Sequence, residues 1–390
     1  MTQPTHRLLS PLQMTLAVIG ILAGLSVFWI GITKFPERIW LNFLMNNFYF
    51  LSISMIGAVF IAIHYLGSSA WLTVLRRVPE AMTAYLPVGA VLMLFLLFGT
   101  HSLYHWSHTE AVAQDAILQQ KSAFLNTTGY TIRMILFLVL WIVLVRQLVK
   151  NSCEQDKNGA LAYTQKNTRL SAIFLILFAL TFTLASIEWI MSLDPHWYST
   201  IFPWYVFSSV LAGGTALMIF LLLMIQKKGY LKEANEYHLH DLGKYLFAFS
   251  FFWGYLWYSQ YMLIWYSNIP EEVHYFTQRE HQGWYILFLL NPLINLVLPF
   301  CFLLPAAAKK KTVHLMRVCL FVVAGHWFDF YLMVMPSGMK EGPQFGWIEV
   351  FMGLGFFSLF LILVHRKFQK MEMAPTKDPY YEESLHFHGV

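Results

Sequence analysis

Charge is what this chain has least of: Asp, Glu, Lys and Arg make up 12% of its 390 residues, against 57% hydrophobic ones. With a mean hydropathy of +0.53, this excludes a soluble domain, because apolar runs of bilayer-crossing length recur along the whole chain. Cysteine is scarce too. Cys153, Cys301 and Cys319 lie far apart, no two at ligand spacing, and no CxxCH occurs. A disulfide framework, a cysteine-ligated iron–sulfur cluster and a covalent c-type haem are thereby excluded. No helix carries two histidines at the spacing that lets one helix of a diheme bundle hold two b-type haems. No separate soluble domain is visible, and no cleavage site follows the first apolar segment, so that segment is expected to remain as an anchor.

What is present is a series of apolar segments. Spans are expected over Gln13–Ile32, Leu41–Leu66, Met82–Thr100, Thr127–Leu148, Arg169–Trp189, Ile201–Ile225, Lys244–Tyr266, Trp284–Leu304, Val313–Met335 and Trp347–Val364. The expected fold is therefore all-α and polytopic, about ten transmembrane helices, with residues 1–373 as one membrane domain and 374–390 as a polar tail. The basic residues test this count. Alternating the loops between two sides puts twenty of the 26 Lys and Arg on one side, among them Arg76, Arg77, Lys150, Lys227 and Lys309 to Lys311. Lys34, Arg38, Lys121, Arg279 and Lys340 fall on the other, and Arg133 lies inside a helix. By the positive-inside rule both termini are cytoplasmic. The formal charge of +5 thus reports orientation and not nucleic-acid binding. The Lys309–Lys311 run is open to a second use, contact with anionic lipid.

Between Leu170 and Gln226 there is no Lys or Arg, yet Glu188, Asp194 and His196 sit there, in the stretch Glu188-Trp189-Ile190-Met191-Ser192-Leu193-Asp194-Pro195-His196-Trp197-Tyr198. Titratable groups in or beside hydrocarbon are expensive and usually tied to function. With both termini inside, Glu188 lies near the outer end of helix five, and Asp194 and His196 lie in the hairpin after it. Arg133 is about two turns below the outer surface, a candidate partner for Glu188 or Asp329. His326 and Asp329, three residues apart, share a face in the outer half of helix nine. His101, His105 and His108 fall on one face if helix three continues, and Glu349 starts helix ten on the same side. On the inner side, His64, His238, His240, Asp241 and Lys244 suggest a polar entry, with Asp241 able to cap helix seven and Lys244 able to snorkel. Gln260, Asn291 and Asn295 could bridge the halves, or serve only as interhelical hydrogen bonds. The aromatics of helix seven, from Trp253 to Tyr266, are either packed bundle interior or one wall of a pocket for a flat ring. His386 and His388 in the tail are either a metal pair or part of a flexible segment, and the tail is expected to be flexible or docked on a partner. Gly213-Gly214 is the one strong helix break expected.

Three motifs carry a resemblance. Asp194-Pro195-His196-Trp197-Tyr198-Ser199-Thr200-Ile201-Phe202, His240-Asp241-Leu242-Gly243-Lys244, and His326-Trp327-Phe328-Asp329 with Met335-Pro336 resemble the NrfD-like membrane subunits of alternative complex III, a bacterial quinol:electron acceptor oxidoreductase. The likeness covers essentially all ten helices and is greatest to the F-type subunit. It implies two four-helix bundles plus peripheral helices, no cofactor or metal bound by this chain, and a location in the bacterial inner membrane. It further implies an NrfD-like paralogue and c-type cytochrome and iron–sulfur subunits as partners, the haem c and clusters residing in them. In that family the quinol site is attributed to the C-type paralogue, leaving quinone binding here open, and the F-type subunit is discussed as a proton path. Carried over, Asp194, His196, Asp241, Lys244, His326 and Asp329 are the path candidates, joined by Arg133, Glu188 and Gln260 from their depth. Two other classes stay open: a stand-alone secondary transporter, which would need broken helices around a midplane site, and a purely structural anchor subunit.

Overall fold

The computed structural model describes residues 7–281, 283–339 and 341–388, so Lys340, assigned to the outer loops above, lies outside the described residues. Ten long helical segments run back and forth: α1 Pro11–Lys34, α2 Pro36–Leu66, α3 Arg77–Leu103, α4 Thr127–Asn158, α5 Leu161–Trp189, α6 Phe202–Lys227, α7 Glu236–Ser267, α8 Trp284–Leu303, α9 Thr312–Val334 and α10 Trp347–Phe368. Among the described residues, nine of them are long and apolar enough to cross a membrane. The exception is α7, whose Trp and Tyr residues lower its hydropathy although it is 32 residues long and packs along α6. The chain is thus an all-α, multi-pass membrane protein.

Local chemistry sets the ends of these helices. Ser10 and Gln13 form a capping box at α1, and Asn126 accepts from the Gly129 N–H at α4. Gly159, with φ of 69°, closes α4 in the left-handed conformation that glycine adopts without strain. The polar stretch 151–166, which falls between two of the expected spans, is therefore mostly helix. Its amides and acids sit on turns of α4 and α5 that continue past the apolar spans.

Packing divides the segments into two bundles. Helices α2 to α5 form the first and α6 to α9 the second, with α1 and α10 paired outside the first against α2. The bundles join through α2 and α6, each with 89% of its most apolar window buried inside the protein. The α1–α10 seam is tight because Gly20 and Gly24, one turn apart, face Ser358 and Gly355. The Gly213-Gly214 pair is not a break, since α6 runs straight through it. A Cβ at Gly213 would meet the Tyr49 hydroxyl at 2.9 Å, and one at Gly214 would meet Ile56 at 2.8 Å, so the pair lets α2 approach. The actual irregularities are elsewhere, in α3, where 3₁₀ turns interrupt the helix at 83–85 and 96–99, and in α8, where Pro292 precedes a π turn over Leu293–Val297.

The first residues of α1 and the last of α10 share one face, here termed the terminal face, where the Leu9 N–H meets His365 Nδ1 at 3.3 Å. The tail is docked on this face. Asp378 binds Arg76 at 2.7 Å, Ser384 bridges Trp71 O at 2.8 Å and Val74 N at 3.1 Å, and Phe387 O accepts from Asn235 at 2.9 Å. The tail's partner is thus its own chain. His388 lies against Tyr237, and among the described residues no group of three or more ligating side chains could hold a metal.

Candidate functional site

The second bundle encloses a fully buried carboxylate. Asp329 of α9 accepts four hydrogen bonds from three helices: the Tyr205 hydroxyl and Ser209 Oγ (2.8 Å) from α6, Trp253 Nε1 (2.8 Å) from α7 and Asn291 Nδ2 (2.6 Å) from α8. None of these donors is charged, and no cation pairs with Asp329 among the described residues. The sequence places them by helical spacing: Tyr205 and Ser209 stand one turn apart on α6, and His326 one turn before Asp329 on α9. Asn295 donates to Asn291 Oδ1 at 2.7 Å and thereby orients the amide that serves Asp329. His326 Nδ1 lies 3.1 Å from Ser209 Oγ. Because the Ser209 proton is given to Asp329, Nδ1 is the proton-bearing nitrogen, leaving Nε2 as a buried acceptor without a partner. Arg133 does not reach this carboxylate.

Beside Asp329, toward the face opposite the termini, lies a small chamber of about 10 Å³ lined in part by Tyr205, Gln260, Tyr275, Arg279 and Asn291, room for a single water. Gln260 Oε1 has no partner. Arg279, on the short Pro270–Glu280 helix between α7 and α8, is 3% exposed and has no carboxylate partner. It donates to the carbonyls of Leu332 (3.0 Å), Met333 (3.1 Å) and Tyr275 (2.7 Å), so it caps the end of α9. Its guanidinium stacks at 3.4 Å on the Tyr275 ring, which in turn stacks at 4.0 Å on Trp197 of the Asp194-Pro195-His196-Trp197 motif. Burial pushes the Arg279 pKa down, with Tyr275, Tyr205 and Asp194 pulling it back.

The hairpin after α5 opens onto a cavity of about 450 Å³ on that opposite face, lined by five histidines (His101, His105, His108, His196, His274) with Glu37 and Asp194. Asp194 lies 3.7 Å from His274, and its Oδ2 has no hydrogen bond. His196 binds Asp115 at 2.5 Å. That bond, with the N–H groups of Leu118 and Ile117, holds the Asp115 carboxyl below its ordinary value. Lys121 donates to Pro195 O at 2.5 Å, and burial lowers its pKa against the pull of Asp194 and Asp115. The histidines of 101–108 do not share a helical face, because α3 ends at Leu103 and Tyr104 is extended. A turn brings His101 and His108 together instead, with ring centres 3.7 Å apart.

Glu188 belongs to a separate cluster in the first bundle. It pairs with Arg133, which also donates to Phe124 O at 2.6 Å and covers the Phe124 ring. Nearby, Tyr104 binds Trp189 O at 2.8 Å and Tyr130 at 3.1 Å. Of the two candidate partners, Arg133 therefore takes Glu188. Aromatic side chains fill the space between this cluster and Asp329: Phe48 packs on Trp189, Phe182 and Phe330. No hydrogen bond connects the two acids among the described residues.

On the terminal face, Asp241 pairs with Lys244 at 2.6 Å and lies 3.6 Å from His240. It does not cap α7; that helix is capped six residues earlier, where Asn235 accepts from the N–H groups of Tyr237 and His238. Between Tyr245 and Trp253, α7 offers one polar side chain, Ser250, so this pair and Asp329 are separated by a largely apolar half-bundle. The α7 aromatics divide by face: Trp253, Trp257 and Tyr261 stack inside the bundle, while Tyr255, Tyr258, Trp265 and Tyr266 point outward.

Sequence reading found Asp329, His326, Asn291 and Gln260 but missed Tyr205, Ser209 and Trp253 as their partners, and Arg279 as a buried residue. An Arg in a loop, here next to Glu280, looks like any loop cation, and only the tertiary stack on Tyr275 distinguishes it. Also missed was the cluster of Arg77, Glu80 and Asp156 with Arg76 and Asp378 on the terminal face.

No protein-family model matches this sequence, and a comparison with curated proteins found no match.

Proposed function

We propose that this chain is an NrfD-like integral subunit of a respiratory quinol:electron acceptor oxidoreductase of the alternative complex III type, seated in a bacterial cytoplasmic membrane with both termini inside. In this reading it supports proton movement, while haem c and iron–sulfur clusters reside in partner subunits. The observation that carries the proposal is Asp329: a carboxylate in the centre of a membrane bundle, held by four neutral donors, with a histidine beside it and no counter-cation. Intramembrane carboxylates of this kind mark proton relays and ion pathways. The division into two four-helix bundles with a peripheral pair supports the same reading, as do the three motifs quoted above.

The proposed route runs through His326 and Asp329, then through Tyr205 and the chamber with Gln260 and Arg279; Asp241 and Lys244 stand at its cytoplasmic end, across the largely apolar half-bundle described above. It leaves through Asp194 and the histidine-lined cavity, with His196 at the rim. Glu188 and Arg133 lie off this route and fasten α4 to α5. The chamber beside Asp329 has no room for a quinone ring, so a quinone, if this chain touches one, does not sit there. The same size weighs against a stand-alone transporter, which needs a solute-sized site near the midplane.

Purification and proton counting test the proposal. The chain should co-purify with haem-containing subunits, whereas purification alone as an active transporter would overturn complex membership. In the reconstituted complex, Asp329→Asn should lower proton release per electron. If assembly, quinol oxidation and proton release are all unchanged, the relay is wrong.

A further inference from the structure

A second cavity, of about 460 Å³, opens where α3, α4 and the last turn of α10 meet near the terminal face. Its floor is apolar: Leu86 and Pro87 from α3, and Ile142, Val145 and Val149 from α4. Its rim is cationic, formed by Arg146, Lys150 and Lys367. None of the three has a side-chain hydrogen bond, ion pair or ring contact among the described residues. The one acid on the rim, Glu154, is already held by Lys157 at 2.9 Å. Nearby Arg76 and Arg77 are likewise neutralised by Glu80, Asp156 and Asp378. Arg146, Lys150 and Lys367 are therefore uncompensated where their neighbours are paired.

Depth agrees with this arrangement. Helix α4 is apolar from Met134 to Val145, and its sequence turns polar at Arg146-Gln147 and again from Lys150 onward. The cations thus lie at the level where hydrocarbon gives way to headgroups. Arg146 and Lys150 are one turn apart on one face, about 6 Å along the axis. Ile142, Val145 and Val149 continue that face into the hydrocarbon.

We propose that this cleft binds an anionic phospholipid, its phosphate held by Arg146, Lys150 and Lys367 and an acyl chain laid on Leu86, Ile142, Val145 and Val149. A basic pocket between membrane helices is suited to an anionic headgroup. The apolar floor selects a lipid over a free phosphate. The site is independent of the proton route, which lies in the other bundle.

The test uses the intact purified protein, or the complex that contains it, in detergent, titrated with phosphatidylglycerol and read by native mass spectrometry and thermal shift. The wild type should retain phosphatidylglycerol and gain thermal stability, phosphatidylcholine should do neither, and glycerol phosphate should bind far more weakly. The variant Arg146→Gln/Lys150→Gln/Lys367→Gln should weaken phosphatidylglycerol binding roughly a hundredfold, taking about 1 kcal/mol per cation near an anionic headgroup and 1.4 kcal/mol per decade. Val145→Trp, which fills the floor and keeps every charge, should also weaken it, so the proposal stays testable if the triple variant fails to fold. Lys166→Gln/Lys228→Gln/Lys232→Gln removes as much charge elsewhere and should change nothing. Equal binding of phosphatidylcholine, equal binding of glycerol phosphate, or unchanged phosphatidylglycerol affinity in the triple variant would each overturn the site. Loss of a partner subunit from the triple variant with lipid retention intact would assign the surface to a protein contact instead.

Discussion

Removing the Asp329 carboxylate should cost far more than neutralising it, and the hydrogen bonds say by how much. In Asp329→Ala four buried donors lose their acceptor. The hydroxyls of Tyr205 and Ser209 can rotate toward other oxygens. Trp253 Nε1 cannot, and the Asn291 amide is fixed because its oxygen already accepts from Asn295 at 2.7 Å. Two stranded donors at about 1–3 kcal/mol each give roughly 2–6 kcal/mol of destabilisation. Asp329→Asn keeps one acceptor oxygen for Tyr205 and Asn291. Its new NH₂ group then faces Ser209, which can turn to accept, and Trp253, which cannot. One stranded donor remains, for a loss of about 1–3 kcal/mol. Reversible unfolding in mixed detergent micelles measures both variants, and Trp253→Phe in the Asp329→Asn background should recover part of the loss. The reasoning fails if alanine costs no more than asparagine, or if both fall within the roughly 0.5 kcal/mol of an ordinary surface change.

Three further outcomes are expected. Arg133→Ala leaves Glu188 buried and unpaired and should destabilise the first bundle by about 3–5 kcal/mol, while Arg133→Ala/Glu188→Gln should be milder than the single change, both read by thermal unfolding in detergent. Gly24→Ile must push apart a seam where a Cβ would already sit 3.1 Å from Gly355 Cα. It should cost about 1–3 kcal/mol and raise hydrogen exchange in α1 and α10 without affecting the second bundle. The Asp115–His196 contact should open in acid: His196 holds the Asp115 carboxyl below its ordinary value, so its contribution is complete above the unfolded pKa of about 3.9 and is lost as pH falls through the lower folded value. Hydrogen exchange over 112–122 should rise in that window in the wild type, and Asp115→Asn should abolish the pH dependence.

The membrane fold was legible because hydropathy and the basic residues report the same variable, depth. Span after span is visible as an apolar run, and twenty basic residues mark one end of the helices. Even α7, whose Trp and Tyr residues lower its hydropathy, is supported by the alternation of charge, which requires a span there. Lateral neighbours were not legible in the same way. Depth alone allowed Arg133 to choose Glu188 or Asp329, since all three occupy the same slab of the membrane, and only the packing of α4 on α5 decides. The caps illustrate a related failure. Asp241 is a good cap residue, but Asn235 stands six residues earlier with His238 three residues on, and the helix takes the earlier start. The small-residue pattern Gly20-Ile21-Leu22-Ala23-Gly24 was available in the sequence as a close-packing signal, and it marks the α1–α10 seam.

The two acids of the Glu188–Tyr198 stretch, six residues apart in sequence, serve different bundles. Glu188 is the last acid of α5 and turns inward to Arg133, so its charge is matched within the first bundle. Pro195 ends the helical geometry after it, and the hairpin carries Trp197 across to Tyr275 and Arg279, the cap of α9. Asp194 thereby comes within electrostatic reach of the second bundle's buried arginine, while its Oδ2 is buried without a hydrogen bond, 3.7 Å from His274. A paired acid has little freedom to exchange a proton, because its partner's charge must be left behind in hydrocarbon. Among the described residues Asp194 has no Lys or Arg at ion-pair distance, only His274 at 3.7 Å, and is not held in that way. The hairpin is thus the mechanical link by which movement of the Pro270–Glu280 helix would be felt both at Asp194 and at the end of α9 that carries Asp329. Any coupling between the face opposite the termini and the buried carboxylate has a physical route through Trp197, Tyr275 and Arg279.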